Sequence, residues 1–546
     1  METQRTNQLD ALIVRAKEPA RCKVFARWFA TAVVGLAIAG CATLPGSNYP
    51  KQSSTAFDQP GSTALGRQID AVARTHPDLS GFRLLVAGED GFRARAQLAE
   101  AAQKSLDLQY FIVKNDVTGK LLVDAVLRAA DRGVRVRMLI DDTDDLARNR
   151  EIIAIAAHPG IEIRIFNPYY ARAPFDLLRY GEFLIDRRLN YRMHNKVFVA
   201  DNAAAIIGGR NIGDEYFAAS EHSDRADFDV LAVGEIVRRI SSTFDAFWNS
   251  ELAIPAQALL AAKPGPEALQ AYRAELEQNR KNPQTRVKVP RVEEPDPAKA
   301  LLQGDGPLVW AKADVLYDNP DKGKIVSDEK QGPLLRKRLA EELGQVQSEL
   351  LIVSPYLVPA DQGMRLVEKL RARGVRLRIV TNSLASTDLP VAHAGYQHYR
   401  TRLLDDGVEL YEVKAFPEAG DGDGRSLSPS SGQLELHAKL FVFDRQRLFV
   451  GSMNFDYRSL RVNTEIGLLI DSPALAREAG AHVDAMTQPA NAYHVQLGPP
   501  DAFGNRPLTW RTEENGKTVE LTTEPGSIGR RIQASLFTLL PIDDLL

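Results

Sequence analysis

Two features are scarce in this sequence, and each shortage narrows what the protein can be. Cysteine occurs only twice in 546 residues, as Cys22 and Cys41, so stability must come from core packing. An excess of charge is also missing, because 68 basic and 71 acidic residues leave a net charge of -3. Without a global basic field, nucleic acid is not expected as the main partner, although a local basic patch is compatible with this composition. With 44% hydrophobic residues, the chain is globular and long enough for two or three domains.

A hydrophobic run long enough to cross a bilayer comfortably is missing as well. The apolar run at residues 28–40 follows several basic residues and fits a secretory signal better than a transmembrane helix. It ends in small residues directly before Cys41 and resembles the lipobox of bacterial lipoproteins, which implies that Cys41 is lipidated and begins the mature chain. A membrane-anchoring helix with an incidental cysteine is the alternative. We expect a cell-envelope protein, lipid-anchored on the periplasmic side of the inner or outer membrane.

Two segments of the sequence repeat one order of structural signals. Residues 105–113 and 348–353 are strand-like, each is followed by a helical stretch that ends in Arg-Gly, and a second strand follows each helix. Strands that alternate with helices predict an α/β sheet in each half. The shared order of elements predicts a duplicated domain.

A longer motif, H-x-K-x4-D-x6-G-[GS]-x-N, also occurs twice, once in each repeat. Residues two apart on a strand face the same side, so the histidine and lysine of each copy point together. A hairpin then brings the asparagine back beside them, and the small residues before it leave room for a ligand. The candidate site residues are His194, Lys196, Asp201, Asn211, His437, Lys439, Asp444 and Asn454.

These residue types suit phosphodiester chemistry. Lysine ammonium and asparagine amide groups donate to anionic phosphoryl oxygens, and imidazoles can act as nucleophile and general acid. We expect no metal and no organic cofactor, because the lysines already supply positive charge. The acidic run at residues 141–145 is the one tempting metal site, but such runs are more often solvated loops or helix starts.

Both copies of the motif resemble the HKD motif of the phospholipase D superfamily, and the resemblance extends over nearly all of the chain after residue 63. It implies an α/β fold of two similar domains whose motifs meet in one active site at their interface. It also implies a catalytic set of His194, Lys196, Asp201, His437, Lys439 and Asp444.

The resemblance assigns roles within this set. One histidine attacks phosphorus, for which we favour His194, and the other protonates the leaving alkoxide. The lysines and asparagines hold the phosphoryl oxygens, and the two motif aspartates act mainly in a structural turn. Glu465, with Asp229 as its counterpart in the first half, either orients a histidine near the substrate or is an ordinary carboxylate at a strand end.

Residues 106–142 and 451–467 are similar to bacterial cardiolipin synthases, especially their C-type branch. This similarity implies transfer of a phosphatidyl group from phosphatidylglycerol or another phospholipid to a phosphatidylglycerol hydroxyl. Phospholipids, with phosphatidylethanolamine among them, and a membrane surface are the expected partners, and the oligomeric state is open. The alternatives are a phospholipase D hydrolase that releases phosphatidic acid, a nuclease, and a non-catalytic lipoprotein that binds anionic lipid.

The expected domain organisation follows from these signals and from composition. The linker is rich in charge and proline, and the C-terminal extension has basic and apolar residues that suit either a bilayer interface or the protein's own core. In chain order we expect a signal peptide at 1–40, a lipidated cysteine and flexible tether at 41–62, a first domain at 63–255, a linker at 256–305, a second domain at 306–490 and the C-terminal extension at 491–546.

Overall fold

The computed structural model covers the two predicted repeats and the connections around them. The predicted signal peptide and the first part of the predicted tether, residues 1–48 with Cys41, lie outside the described residues. The structure describes residues 49–143, 150–169, 182, 186–259, 264–283, 285, 296–304, 306–327, 330–417, 432–504 and 506–538.

The described part of the first half contains nine strands, eight of which form one mixed sheet. Their order across the sheet is β1-β8-β6-β5-β2-β3-β4-β9, with β2, β3 and β4 parallel and the other neighbours antiparallel. The strands are β1 (Ser80–Leu85), β2 (Ser105–Tyr110), β3 (Arg135–Asp141), β4 (Ile161–Phe166), β5 (Val197–Ala200), β6 (Ala204–Gly208), β7 (Ser223–Ala226), β8 (Asp229–Val233) and β9 (Ala253–Pro255).

The second half repeats this sheet and extends it by two strands. Its order is β10-β17-β16-β15-β11-β12-β13-β18-β19-β20, and β11, β12 and β13 are again the parallel neighbours. The strands are β10 (Val309–Tyr317), β11 (Glu349–Val353), β12 (Arg376–Asn382), β13 (Glu409–Val413), β14 (Gln433–Leu436), β15 (Leu440–Phe443), β16 (Arg447–Gly451), β17 (Ile466–Asp471), β18 (Ala492–Leu497), β19 (Leu508–Glu514) and β20 (Lys517–Leu521).

The two sheets join edge to edge, because β1 pairs antiparallel with β10. A second connection between the halves is a short parallel pair of β7 with β14, in which Ala226 lies opposite Leu436. These two strands end directly before Asp227 and His437, so the pairing fixes the position of both residues.

Helices cover both sheets. They are α1 (Ala64–Ala73), α2 (Gly88–Ala101), α3 (Val117–Asp131), α4 (Arg150–Ala154), α5 (Ile236–Asn249), α6 (Ala256–Leu259), α7 (Pro266–Lys281), α8 (Pro297–Gln303), α9 (Lys322–Val326), α10 (Leu335–Gln345), α11 (Ala360–Ala372), α12 (Pro390–Asp405), α13 (Tyr457–Arg461), α14 (Pro473–Met486) and α15 (Ile528–Phe537).

The helices α3 and α11 show how the repeated sequence produces a repeated structure. Each is followed by a glycine with positive φ, Gly133 at 91° and Gly374 at 80°, a conformation that a side chain would disfavour. The Arg-Gly pairs of the two repeats therefore mark the points where helix gives way to strand.

The three largest of the five apolar clusters among the described residues stabilise the arrangement. One lies beneath the helices of the first half and one beneath those of the second half. The third contains side chains from both sheets, among them Val199 and Val230 from one half and Val442 and Leu468 from the other. This shared core holds the halves in one fixed relation, which a site at their interface requires.

No helix among the described residues is both long and apolar enough to cross a membrane.

Candidate active site

The two histidines of the repeated motif each lie on an extended segment just before a fully buried strand, β5 or β15. His194 and His437 are each 7% exposed, while the lysines two residues on are 1% exposed. Lys196 Nζ donates to the carbonyl oxygen of His194 at 2.6 Å, and Lys439 Nζ donates to the carbonyl of His437 in the same way. Each lysine therefore lies directly against its own histidine's backbone.

Each histidine is held by a carboxylate from the opposite half of the molecule. His194 Nδ1 lies 3.0 Å from Glu465 Oε2, and His437 Nδ1 lies 2.6 Å from Asp227 Oδ2. The backbone repeats the exchange, because His194 N donates to Thr464 O at 3.0 Å and His437 N donates to Ala226 O at 2.8 Å. Neither half alone contains a fully oriented histidine.

The structure corrects one predicted residue. Glu465 contacts a histidine through Nδ1, as expected, but its counterpart in the first half is Asp227 and not Asp229. Asp229 Oδ2 instead lies 2.9 Å from Arg95 and 3.4 Å from Arg210, in a buried ion cluster. The strand register identifies the right residue. Asp229 pairs with Gly208 in the first half, as Gly467 pairs with Gly451 in the second. Glu465 lies two residues before Gly467, so its counterpart is the residue two before Asp229, which is Asp227.

The small residues before each asparagine make room for these carboxylates. A Cβ atom on Gly209 would lie 2.2 Å from Asp227 Oδ1, so only glycine fits there. At the matching position of the second half, the Ser452 hydroxyl donates to Glu465 Oε2. The space that the sequence suggested for a ligand is therefore occupied by the groups that orient the histidines.

The two motif aspartates make structural contacts. Asp201 accepts hydrogen bonds from the backbone N–H groups of residues 103–105, and Asp444 accepts from those of residues 347–349, at 2.7 to 3.3 Å. Both residues have positive φ near 52° in the hairpin turn. They tie this turn to the start of β2 or β11, and the bonds described for their carboxylates do not involve an imidazole. This agrees with a structural role and gives no support to a direct catalytic one.

The two asparagines differ in how far their amides are already bonded. Asn211 Nδ2 donates to the Tyr216 hydroxyl at 3.0 Å, and its Oδ1 accepts from Ile112 N at 3.2 Å. Asn454 is 5% exposed, and its Oδ1 has no hydrogen-bond partner within the described part of the chain. Binding of phosphoryl oxygens by these asparagines stays a prediction.

Sequence reasoning missed the aromatic and cationic neighbours of the histidines. The Phe111 ring meets His194 edge to face at 4.9 Å, and the Tyr216 ring meets His437 in the same manner at 5.3 Å. Arg225 donates to the Tyr216 hydroxyl at 2.5 Å and lies 2.9 Å from Asp388. Tyr216 and Ser459 occupy equivalent positions in the two repeats, because each follows its motif asparagine by five residues. Both carry a hydroxyl group, and this shared feature is the sequence signal that could have identified Tyr216.

The electrostatic environment differs between the two histidine and carboxylate pairs. Burial lowers the pKa of His194 to about 4 and holds that of His437 well below its ordinary value. Burial raises the pKa of Asp227 to about 7, whereas His194 and Lys196 outweigh burial and hold the pKa of Glu465 below its ordinary value. At neutral pH Glu465 is ionised and both imidazoles are neutral, while the Asp227 and His437 pair still carries a proton in part of the molecules.

Both lysines sit in the same buried environment. Burial lowers the pKa of Lys439 to about 8 and that of Lys196 well below its ordinary value. An anionic ligand beside these amines favours their charged form and so raises both pKa values. A phosphate group that enters the site therefore stabilises the charged form of both amines.

The acidic run at residues 141–145 has a structural partner for its first member. Asp141 accepts from Met193 N at 2.7 Å and lies 3.3 Å from Arg192, which positions the segment that leads into His194. Asp144 and Asp145 lie outside the described residues. Within the described ranges, no group of three or more histidine, cysteine, aspartate or glutamate side chains is arranged to hold a metal ion.

Known proteins share this organisation. A family model described as "Cardiolipin synthase, PLD-like domain" matches residues 96–248 and 339–487, one match in each half. The chain is 38% identical over 486 residues to cardiolipin synthase C of Escherichia coli strain K12, covering 88% of this chain and 99% of that protein. It is 25% identical to cardiolipin synthase 1 of Bacillus anthracis, covering 70% of this chain and 62% of that protein.

A solved structure has the same fold at much lower sequence identity. The crystal structure of phosphatidylserine synthase from Haemophilus influenzae Rd KW20 matches 88% of this chain and 100% of its own, with a TM-score of 0.53 and 15% identity. The predicted duplicated α/β fold and the resemblance to the phospholipase D superfamily are both confirmed. The chain belongs to the cardiolipin synthase family of PLD-like proteins.

Proposed function

We propose that this protein is a phosphatidyltransferase that makes cardiolipin from phosphatidylglycerol and a second phospholipid through a covalent phosphohistidine. The proposal is supported by the family match in both halves and by the similarity to cardiolipin synthase C over 99% of that protein. The observation that carries the mechanism is the pair of buried imidazoles, each bonded through Nδ1 to a carboxylate of the opposite half.

In the first step, His194 is the nucleophile. Its Nδ1–H donates to ionised Glu465, which leaves the lone pair of Nε2 free to attack phosphorus of the donor lipid. As the N–P bond forms, the bond from phosphorus to the leaving alkoxide breaks. The Nε2–H of His437 gives its proton to that alkoxide, which departs as a free alcohol.

His437 suits the acid role because its partner retains a proton near neutral pH. The pKa of Asp227 is about 7, so the Asp227 and His437 pair can supply one proton and recover it. The lysine amines beside both histidines stabilise the negative charge on the phosphoryl oxygens in the transition state.

In the second step, the hydroxyl of a phosphatidylglycerol acceptor attacks the phosphohistidine. Its proton passes to His437, its oxygen bonds to phosphorus and the N–P bond breaks, which returns both histidines to their starting state. Water in place of the acceptor would give phosphatidic acid, so the product depends on how well the site positions a lipid hydroxyl and excludes water.

Lipid mass spectrometry tests this function. The full chain is incubated with vesicles of phosphatidylglycerol and phosphatidylethanolamine, in parallel with H194N and H437N variants and with a chelator. We expect cardiolipin from the wild type with or without chelator, no detectable product from H194N and at least about a hundredfold less from H437N. Phosphatidic acid as the sole product would instead establish a hydrolase, and cleavage of DNA without lipid turnover would establish a nuclease.

The cellular location is a separate part of the proposal. The lipobox-like end of the apolar run supports lipidation of Cys41 and anchoring on the periplasmic side of the inner or outer membrane. Intact-mass measurement of protein isolated from membranes tests it. A mass that corresponds to a chain beginning at Cys41 with attached acyl groups is expected, and no acylated form is expected for a C41S variant. Wild-type protein without acyl groups, or a C41S variant that is still acylated, would contradict the proposal.

A further inference from the structure

The last described helix, α15, has an apolar stripe on its outer side. Ile528, Ile532 and Leu536 follow one another at intervals of four residues, which places them on one helix face. They are 69%, 58% and 61% exposed, values that are high for large apolar side chains. Single exposed apolar residues are ordinary, but a stripe of three along one helix needs an explanation.

The opposite side of α15 is fixed to the protein. Arg530 donates to the carbonyl oxygens of Leu384 at 3.1 Å and Thr387 at 2.6 Å. Ala534 is buried, and Phe537 packs against the apolar cluster around α12. The helix is therefore docked on the body by one face while its apolar stripe points outward.

Two further exposed apolar side chains lie close to this helix. Phe416 is 70% exposed and lines a cleft of about 440 Å³ together with Arg530. Leu389 is 39% exposed and follows Thr387, the residue to which Arg530 is bonded, by two positions. We call the five residues of this surface the apolar face: Leu389, Phe416, Ile528, Ile532 and Leu536.

The apolar face borders the active site through a short chain of contacts. Asp388, next to Leu389, pairs with Arg225 at 2.9 Å, and Arg225 donates to the Tyr216 hydroxyl at 2.5 Å. The ring of Tyr216 in turn lies against His437. The Leu389 edge of the apolar face is therefore connected by direct contacts to the half-site of His437.

We propose that the apolar face inserts into the interface of the bilayer that contains the substrates, so that a phospholipid reaches His437 while its acyl chains remain in the membrane. This inference rests on the proposed function, which makes phospholipids the substrates. A basic side chain supports a lipid surface over a protein partner, because Arg531 lies at the edge of the apolar stripe at 100° per residue. Cationic groups that flank an apolar helix face match a membrane with anionic headgroups such as phosphatidylglycerol.

The first test measures insertion without using activity. In the full chain on vesicles, an I532W variant is compared with the wild type for quenching of fluorescence by lipids brominated on their acyl chains. Phe503 is the matched control, because it is 91% exposed but lies on the connection between β18 and β19. We expect additional quenching for I532W and none for F503W. Absence of additional quenching at position 532, or equal quenching at both positions, would overturn the proposal.

The second test connects insertion to turnover. The double variant I532D/L536D is expected to have a transfer rate on phosphatidylglycerol vesicles at least about tenfold below that of the wild type. Its rate on dihexanoyl phosphatidylglycerol below the micellar concentration should equal that of the wild type. F503D should change neither rate. An unchanged vesicle rate for the double variant, or an equal loss on both substrates, would overturn the role of the face. A wild type inactive on both substrates would contradict the proposed function, whereas the quenching result would still decide insertion.

Discussion

The half-site around His194 and the half-site around His437 are built on the same hairpin, yet their surroundings differ at three places. Glu465, which accepts a hydrogen bond from the Ser452 hydroxyl, holds His194 beside Phe111. Asp227, which packs against Gly209, holds His437 beside Tyr216.

The serine donates to Glu465 and so helps to keep it ionised, whereas glycine offers Asp227 no side-chain donor. Two equivalent histidines of a duplicated fold can thus serve as nucleophile and as proton donor when only their neighbouring residues differ. The comparison predicts a nucleophile at His194 and a proton donor at His437.

The largest effects should come from the histidines, and the leaving group should separate their roles. H194N is expected to lose more than about 10⁴-fold in kcat on every substrate, because no nucleophile remains. H437N should lose about 10²- to 10⁴-fold on a lipid donor and much less on a p-nitrophenyl phosphodiester, whose leaving group needs no proton. Steady-state rates on both substrates provide the check. Rescue of H194N but not H437N by the activated substrate would reverse the assignment.

The carboxylates of the opposite halves should rank next. E465Q and D227N each remove an ionisable partner of a histidine while preserving its shape, and we expect losses of about 10²- to 10⁴-fold in kcat. D229N is the control, because Asp229 pairs with Arg95 and Arg210 and not with a histidine. It should lower the melting temperature while the kcat of the folded enzyme changes little. A D227N variant with wild-type kcat would refute the exchange of carboxylates between halves.

The pH profile should distinguish the two pairs. Because the pKa of Asp227 is about 7, deprotonation of the Asp227 and His437 pair as the pH rises through that value removes the acid, so kcat should fall about tenfold per unit above it. The pKa of His194 is about 4, so protonation of the nucleophile lowers the rate only near or below that pH. Rate measurements from pH 4 to 9 test both limbs. D227N should alter the alkaline limb, and an alkaline limb altered only by E465Q would contradict this reading.

Removal of the Ser452 hydroxyl should give a moderate effect. S452A takes away a hydrogen bond to buried Glu465, which raises the pKa of that carboxyl and reduces kcat by about three- to tenfold. G209A is the matched change in the other half, and we expect it to destabilise the fold because its Cβ would overlap Asp227. Melting temperatures and kcat of both variants are the measurements. A G209A protein with unchanged stability would contradict the packing described for Asp227.

The smallest catalytic effect should come from the motif aspartates. D201N and D444N weaken the bonds that tie each hairpin turn to a neighbouring strand, so unfolding free energies should fall by about 1–3 kcal/mol while kcat of the folded enzyme changes little. Asp201 is completely buried and should have the larger effect. Denaturant unfolding followed by activity measurement separates the two quantities. A large loss of kcat at unchanged stability would restore a catalytic role for these residues.

Sequence was sufficient for those parts of the site that lie within one repeat. Spacing along a strand predicted that the histidine and lysine of each motif point together, and the common order of strands predicted the duplicated sheet. It did not identify Asp227, because the carboxylate that serves one histidine belongs to the other half and its position depends on the register of β6 with β8. Tyr216 and Arg225 were missed for a similar reason, since a tertiary contact brings them to His437.

The most direct test of the asymmetry between the half-sites is to locate the covalent intermediate. The full-length wild type is mixed with phosphatidylglycerol vesicles, quenched within milliseconds at alkaline pH, digested and mapped by mass spectrometry. We predict a phosphatidyl group on the peptide that contains His194, absent in H194N. A phosphatidyl group on His437, or an equal distribution between the two histidines, would contradict the assignment of nucleophile and acid by the neighbours of each histidine.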